Sequence, residues 1–178
     1  MKYITILLLL VASSAVAQNV YQLEDYQVTF FITNAGITVE GSLEGLEAEV
    51  EFHPRKPAKN RIIASLDPGT IQTGIKIRDK HLKRADYFDV EQYPKVTLVS
   101  TGFSKADKDK LIGTFILTIK EIEEEVEIPI VYTNSNDKLT LSGSFTINRL
   151  HFDLGEDSII LSDDVEVQLN AQLERLDS

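Results

Sequence analysis

The chain has 178 residues, a formal charge of −10 at pH 7 and no cysteine. So acidic a chain lacks the basic surface that nucleic-acid binding needs, which sets that class aside. The missing cysteines exclude disulfides, thiol catalysis, zinc–cysteine sites and c-type haem attachment, and leave a hydrophobic core to hold the fold.

The first segment reads as a targeting signal. Met1-Lys2 is a short basic start, residues 4–11 are almost wholly apolar, and Ala15-Val16-Ala17 is a small-x-small site. This predicts a signal peptide over 1–17 with cleavage before Gln18, and a soluble, exported domain over 18–178. Neither this run nor any later one is long enough to serve as a transmembrane segment. Gln18 in place of a cysteine argues against a lipoprotein-type anchor.

Strand patterns follow. Residues 28–34 alternate, with Val28, Phe30 and Ile32 on one face. Asn34-Ala35-Gly36 is a turn, and a second strand is expected over 37–46 with bends at Gly41 and Gly45. Residues 48–52 are short and alternating, the proline-containing 53–60 is a loop, and 61–66 is the next strand. Residues 96–103 make another. In 111–119, Leu111, Gly113, Phe115, Leu117 and Ile119 share a face. Val126, Ile128, Ile130 and Tyr132 alternate next, and Asn134 to Asp137 is a hairpin turn. Leu139, Leu141, Phe145 and Ile147 then point inward. The last strand alternates most clearly, with Val165, Val167, Leu169, Ala171 and Leu173 on the apolar side. About eight strands with turns at short intervals indicate an antiparallel sandwich or barrel. Periodicity does not choose between them, although long strands with an apolar face are safest when closed.

Residues 67–94 break the rhythm and are expected to form the one helical element. Ile77, His81, Ala85 and Phe88 fall on one helix side, with Arg78 and Leu82 on the neighbouring ridge. Arg78-Asp79, Asp86 and Asp89 offer charge pairs to clamp that helix to a barrel rim. The expected cap comprises Arg78, Asp79, His81, Leu82 and Phe88.

These same residues carry a resemblance. T-G at 73–74, R-D-x-H-L at 78–82, D-Y-F-D at 86–89 and Y-P at 93–94 resemble the signature of the YceI-like family. V-x-F-x-I-x-N at 28–34, V-T-L-V-S-T at 96–101, Gly113 through Ile119, and Asn148-Arg149-Leu150-His151-Phe152 match its other motifs in order. The resemblance implies an all-β, lipocalin-like, antiparallel eight-stranded barrel capped by one short helix. It also implies a periplasmic or secreted protein of the polyisoprenoid-binding type, with no cofactor and no catalytic residues. Its partner would be an isoprenoid, quinone-like or acyl ligand held in the lumen for carriage or sequestration. The expected binding residues are Phe30, Ile32, Asn34, Ile62, Leu98, Phe115, Leu117, Ile128, Leu141, Phe145, Val167 and Leu169. Asn34 stands where the family commonly has histidine, and Glu121 lies in a hairpin that is more acidic than the family's and expected to be longer.

Two alternatives accompany that reading. The apolar faces read equally well as a filled core, giving a stress-protective or surface-interaction module without ligand. An enzyme is more distant. The three histidines, at 53, 81 and 151, show no His-x-x-x-His spacing, and no serine lies in a Gly-x-Ser-x-Gly elbow. Asp157, Asp163 and Asp164 lack EF-hand spacing, so no metal is expected. The basic loop Arg55, Lys56, Lys59 and Arg61 reads as ordinary surface, and a homodimer stays open.

Overall fold

The computed structural model describes residues 19–176. The leader expected over 1–17 and the cleavage expected before Gln18 fall outside the described residues. Nine strands form one antiparallel sheet: β1 (Val20–Asn34), β2 (Ile37–Leu43), β3 (Glu47–Glu51), β4 (Arg61–Leu66), β5 (Val96–Asp107), β6 (Lys110–Ile119), β7 (Ile122–Ser135), β8 (Lys138–Asn148) and β9 (Leu161–Arg175). One short helix, α1 (Lys76–Leu82), interrupts the series between β4 and β5.

The sheet closes because β1 pairs with β9 along nearly its whole length, from Tyr21↔Arg175 to Asn34↔Leu161. On its other edge β1 meets two strands in turn, β2 from Val28 to Asn34 and β3 at Val20 and Tyr21. β2 and β3 therefore share one place around the tube, and the nine strands make an eight-position barrel. The choice between sandwich and barrel falls to the barrel. The expected strand over 37–46 ends earlier, at Leu43. There the chain bends through Gly45, at φ +73°, whose amide donates to the Tyr26 hydroxyl at 2.8 Å.

Alternation set the faces as expected. In β6, Leu111, Gly113, Phe115, Leu117 and Ile119 are buried while the residues between them are part-exposed. The β6–β7 hairpin is not lengthened as its acidic sequence suggested. Ile119 pairs with Ile122, so Lys120-Glu121 is a tight turn, with Lys120 at φ +56° and its ammonium donating to the Asp153 carbonyl at 2.7 Å.

One end of the tube is plugged. Tyr21, Phe52, Leu111, Leu139 and Leu173 are buried there, and Phe52 meets Tyr132 edge-to-face at 5.0 Å. The Tyr21 hydroxyl accepts hydrogen bonds from Asn134 and Arg175, so the plug leaves that polar group satisfied. Residues 67–95 and the loop after β8 gather at the opposite end, where β1 finishes and β9 begins.

Candidate functional site

Beyond the plugged end the inward faces do not meet across the barrel. They enclose a cavity of about 440 Å³ whose wall is overwhelmingly apolar, within the usual size of small-ligand sites (roughly 300–1,000 Å³). Phe30, Ile32, Asn34, Ile62, Leu98, Phe115, Leu117, Ile128, Leu141, Phe145, Val167 and Leu169 all stand on this wall. β2 adds Val39 and Leu43, β3 Ala48 and Val50, and β9 Val165, positions whose alternation was visible in the sequence. Tyr87, Arg149 and Leu154 reach it from outside the strands, and no strand periodicity could have flagged them.

Arg78, His81, Leu82 and Phe88 line the mouth, whereas Asp79 does not. The helix that presents them differs from the expected one. It spans only Lys76–Leu82, ending where turns capture its last carbonyls: Arg84 N–H donates to His81 and Phe88 N–H to Leu82. A helix this short cannot carry the stripe Ile77–His81–Ala85–Phe88, and Ile77 points outward, 83% exposed.

The clamp on this lid also runs elsewhere than to the barrel rim. Ile75 at the N-cap offers no side-chain acceptor, and the buried Thr73 takes over that task. Its amide and hydroxyl donate to Asp79 Oδ1 at 2.8 and 2.6 Å. Arg78 donates to the Thr73 hydroxyl through Nε and to its carbonyl through Nη2, both at 2.7 Å. Gln72, one residue earlier, pairs with Ser42 of β2, so this knot fastens the helix to the sheet. Thr73→Val keeps the shape and the two backbone bonds but removes the hydroxyl that joins Asp79 to Arg78 Nε, an expected loss of about 1–3 kcal/mol. Hydrogen exchange should then accelerate across residues 76–88 while β6 to β9 stay protected; uniform exchange through both would contradict a separately anchored lid.

The far side of the lid rests on the loop after β8. Gly155, at φ +74°, donates its amide to the Asp86 carbonyl at 2.8 Å, and the Tyr87 ring lies where a Cβ on Gly155 would sit. His81 stacks edge-on against Tyr87 at 4.9 Å and reaches Asp86 at 3.5 Å, an exposed pair of small energetic weight. Lys95 closes the excursion on Glu47 of β3 at 2.7 Å, and its hydrogen bond and charge hold that carboxyl below the usual range.

Arg149 supports the loop from beneath. Its side chain is 3% exposed and donates to the carbonyls of Ser162, Leu154 and Glu156 and to Asp163 Oδ1, all at 2.8–3.0 Å. Asp163 is thus an ion-pair partner, and no group of three histidines or carboxylates converges on a metal position among the described residues.

A profile of the YceI-like domain matches residues 20–173. The chain belongs to the YceI-like family. A UPF0312 protein of Photorhabdus laumondii is 31% identical over 124 residues, 67% of this chain and 64% of that one. Protein YceI of Escherichia coli O157:H7 is 29% identical over 102 residues, 57% of this chain and 53% of that one. The matched stretch thus covers less than two thirds of either relative's length. Among solved structures, BcnA of Burkholderia cenocepacia superposes with a TM-score of 0.79 at 26% identity, covering 83% of this chain and 95% of that one. A polyisoprenoid binding domain from Saccharophagus degradans, implicated in plant cell wall breakdown, gives 0.71 at 11% identity, over 89% and 99% of the two chains. That second likeness is one of fold. In this YceI-like barrel the family motifs have concrete work. T-G and R-D-x-H-L build the Thr73 knot, D-Y-F-D docks the lid on Gly155, and Arg149 holds the loop on which it rests.

Proposed function

We propose that this chain is an exported carrier that holds one long apolar ligand, of isoprenoid, quinone-like or acyl type, in the barrel lumen for carriage or sequestration. The observation that carries this reading is the 440 Å³ space inside an almost wholly apolar wall. Membership of the YceI-like family and the fold shared with a polyisoprenoid binding domain support the ligand class. Export to the periplasm or beyond rests on the leader over 1–17 and the domain that follows it over 18–178.

Binding would be hydrophobic transfer, at about 0.8 kcal/mol for each methylene shielded from water. Several methylenes then outweigh the ordering of a flexible chain. The twelve wall residues named from the sequence would supply the contact, and Asn34 at the mouth would meet the ligand's polar end. We read the protein as a binder and not an enzyme. His81 is engaged with Asp86 and Tyr87 at the lid, and the wall offers no acid–base pair facing a substrate-sized polar space.

Native mass spectrometry of protein purified without detergent tests the proposal. The expected spectrum carries an increment matching one lipid-like molecule, lost on collisional activation, and the same spectrum reports whether the chain forms a homodimer. A bare chain mass, together with failure to take up a fluorescent fatty acid or polyprenol, would turn the reading toward a surface-acting module.

A further inference from the structure

Five isoleucines stand in solvent: Ile37 (70% exposed), Ile75 (54%), Ile77 (83%), Ile159 (104%) and Ile160 (58%). All belong to the open end of the barrel. Ile37 begins β2 at the tip of the β1–β2 hairpin, and Ala35 in that tip donates its amide to the Ile160 carbonyl at 2.7 Å. Gln72 pairs with Ser42 and runs antiparallel to β2, so the chain leading to Ile75 and Ile77 heads toward the Ile37 end. Clustered apolar side chains of this size on a water-facing rim mark an interaction surface.

The charge beside them identifies what the rim fits. Although the chain is strongly acidic, residues 75–84 hold Lys76, Arg78, Lys80, Lys83 and Arg84 against Asp79 alone. Arg78 is spent on Thr73 and Arg84 lies near Asp86, but Lys76, Lys80 and Lys83 make no ion pair among the described residues. Lys76 and Lys80 lie beside Ile77 on the outer face of α1, whose inner face, Arg78, His81 and Leu82, lines the lumen. Glu156 and Asp157, next to Ile159, face the same end and confine the basic character to the helix side. Apolar side chains interleaved with lysines partition into the interface of an anionic bilayer, the former into the acyl boundary and the latter among headgroups.

We infer that the open end of the barrel docks on an anionic lipid surface through Ile37, Ile75, Ile77, Ile159 and Ile160, with Lys76 and Lys80 at the headgroups. This deepens the carrier proposal, since it sets the lumen mouth against a source or sink of long apolar molecules. It is measured independently of any ligand.

The test is co-sedimentation of residues 18–178, which hold every strand of the closed barrel, with phosphatidylglycerol–phosphatidylethanolamine vesicles and with phosphatidylcholine vesicles. Leaving out the apolar leader removes its own affinity for lipid. Binding is expected on the anionic vesicles, weakening as salt rises. Ile75→Ser with Ile77→Ser should lower the partition coefficient about tenfold or more. Lys76→Glu with Lys80→Glu should lower it roughly tenfold on anionic vesicles only. Both pairs are exposed, so circular dichroism and the thermal midpoint should match the parent. Absence of binding to either vesicle, or equal binding by parent and variants, overturns the inference. So does vesicle-independent self-association that the serine variants abolish, because the rim would then be a contact between two copies. Native mass spectra of the same samples separate the two readings. Ligand without docking sinks this inference alone, whereas docking by a chain that carries and accepts no ligand sinks only the carrier.

Discussion

Arg149→Met is expected to destabilise the fold by about 3–5 kcal/mol, because the buried guanidinium donates to three backbone carbonyls and each acceptor left unmet costs about 1–3 kcal/mol. Methionine fills much the same volume, so lost packing adds little. Three carbonyls, of Leu154, Glu156 and Ser162, lose their side-chain donor, and Asp163 loses its cation. In a domain of this size the midpoint of thermal unfolding should fall by roughly 6–20 °C, at about 2–4 °C for each kcal/mol. Asp163→Asn gives the contrast. Asp163 is 40% exposed, so an amide there can still accept from Arg149 and the loss should stay near 1 kcal/mol. A drop of under 2 °C for Arg149→Met, or equal drops for both variants, would show that the guanidinium does not organise the loop.

Ala48→Phe combined with Ala64→Phe is expected to lower affinity for a long-chain probe tenfold or more while the barrel stays folded. The two alanines pair across β3 and β4 and both face the lumen. Two phenyl rings entering that space displace several methylenes of ligand, each contributing about 0.8 kcal/mol. Because the rings enter existing room, the strain that accompanies overpacking of a tight core should stay below about 1 kcal/mol. Titration with a fluorescent fatty acid, read beside the thermal midpoint, checks both halves. Undiminished affinity in a folded variant would place the ligand outside the lumen.

The two variants probe features that differ in how far they could be read before any coordinates. The alanines lie on strands whose inner faces follow from alternation, since one side of an antiparallel strand is dry and the other wet. The same rule set Phe115, Leu117, Leu141 and Val167 on the lumen side, and Asn134 to Asp137 announced the β7–β8 hairpin through turn chemistry alone. Arg149 gave no such sign. Its partners lie at 154, 156, 162 and 163, on a loop and a strand start without periodic pattern, and only the family motif drew notice to it. The helix was half legible. Its place was clear from the broken rhythm of 67–94, but its length and buried face were not, because Thr73 holds Asp79 and Arg78 and turns Ile77 outward.

What the sequence alone determined is the succession of strands along the chain, the inner and outer faces of the strands that alternate and the single helical interruption. All three follow from interactions between near neighbours. Closure needed β1 to find β9 from the far end of the chain, and no local pattern records that meeting. The hollow interior is likewise a property of the tube: alternating apolar residues read the same whether opposite walls touch or stand apart. That separation is set by how many strands close the barrel and how they tilt, and only the tertiary structure decides it.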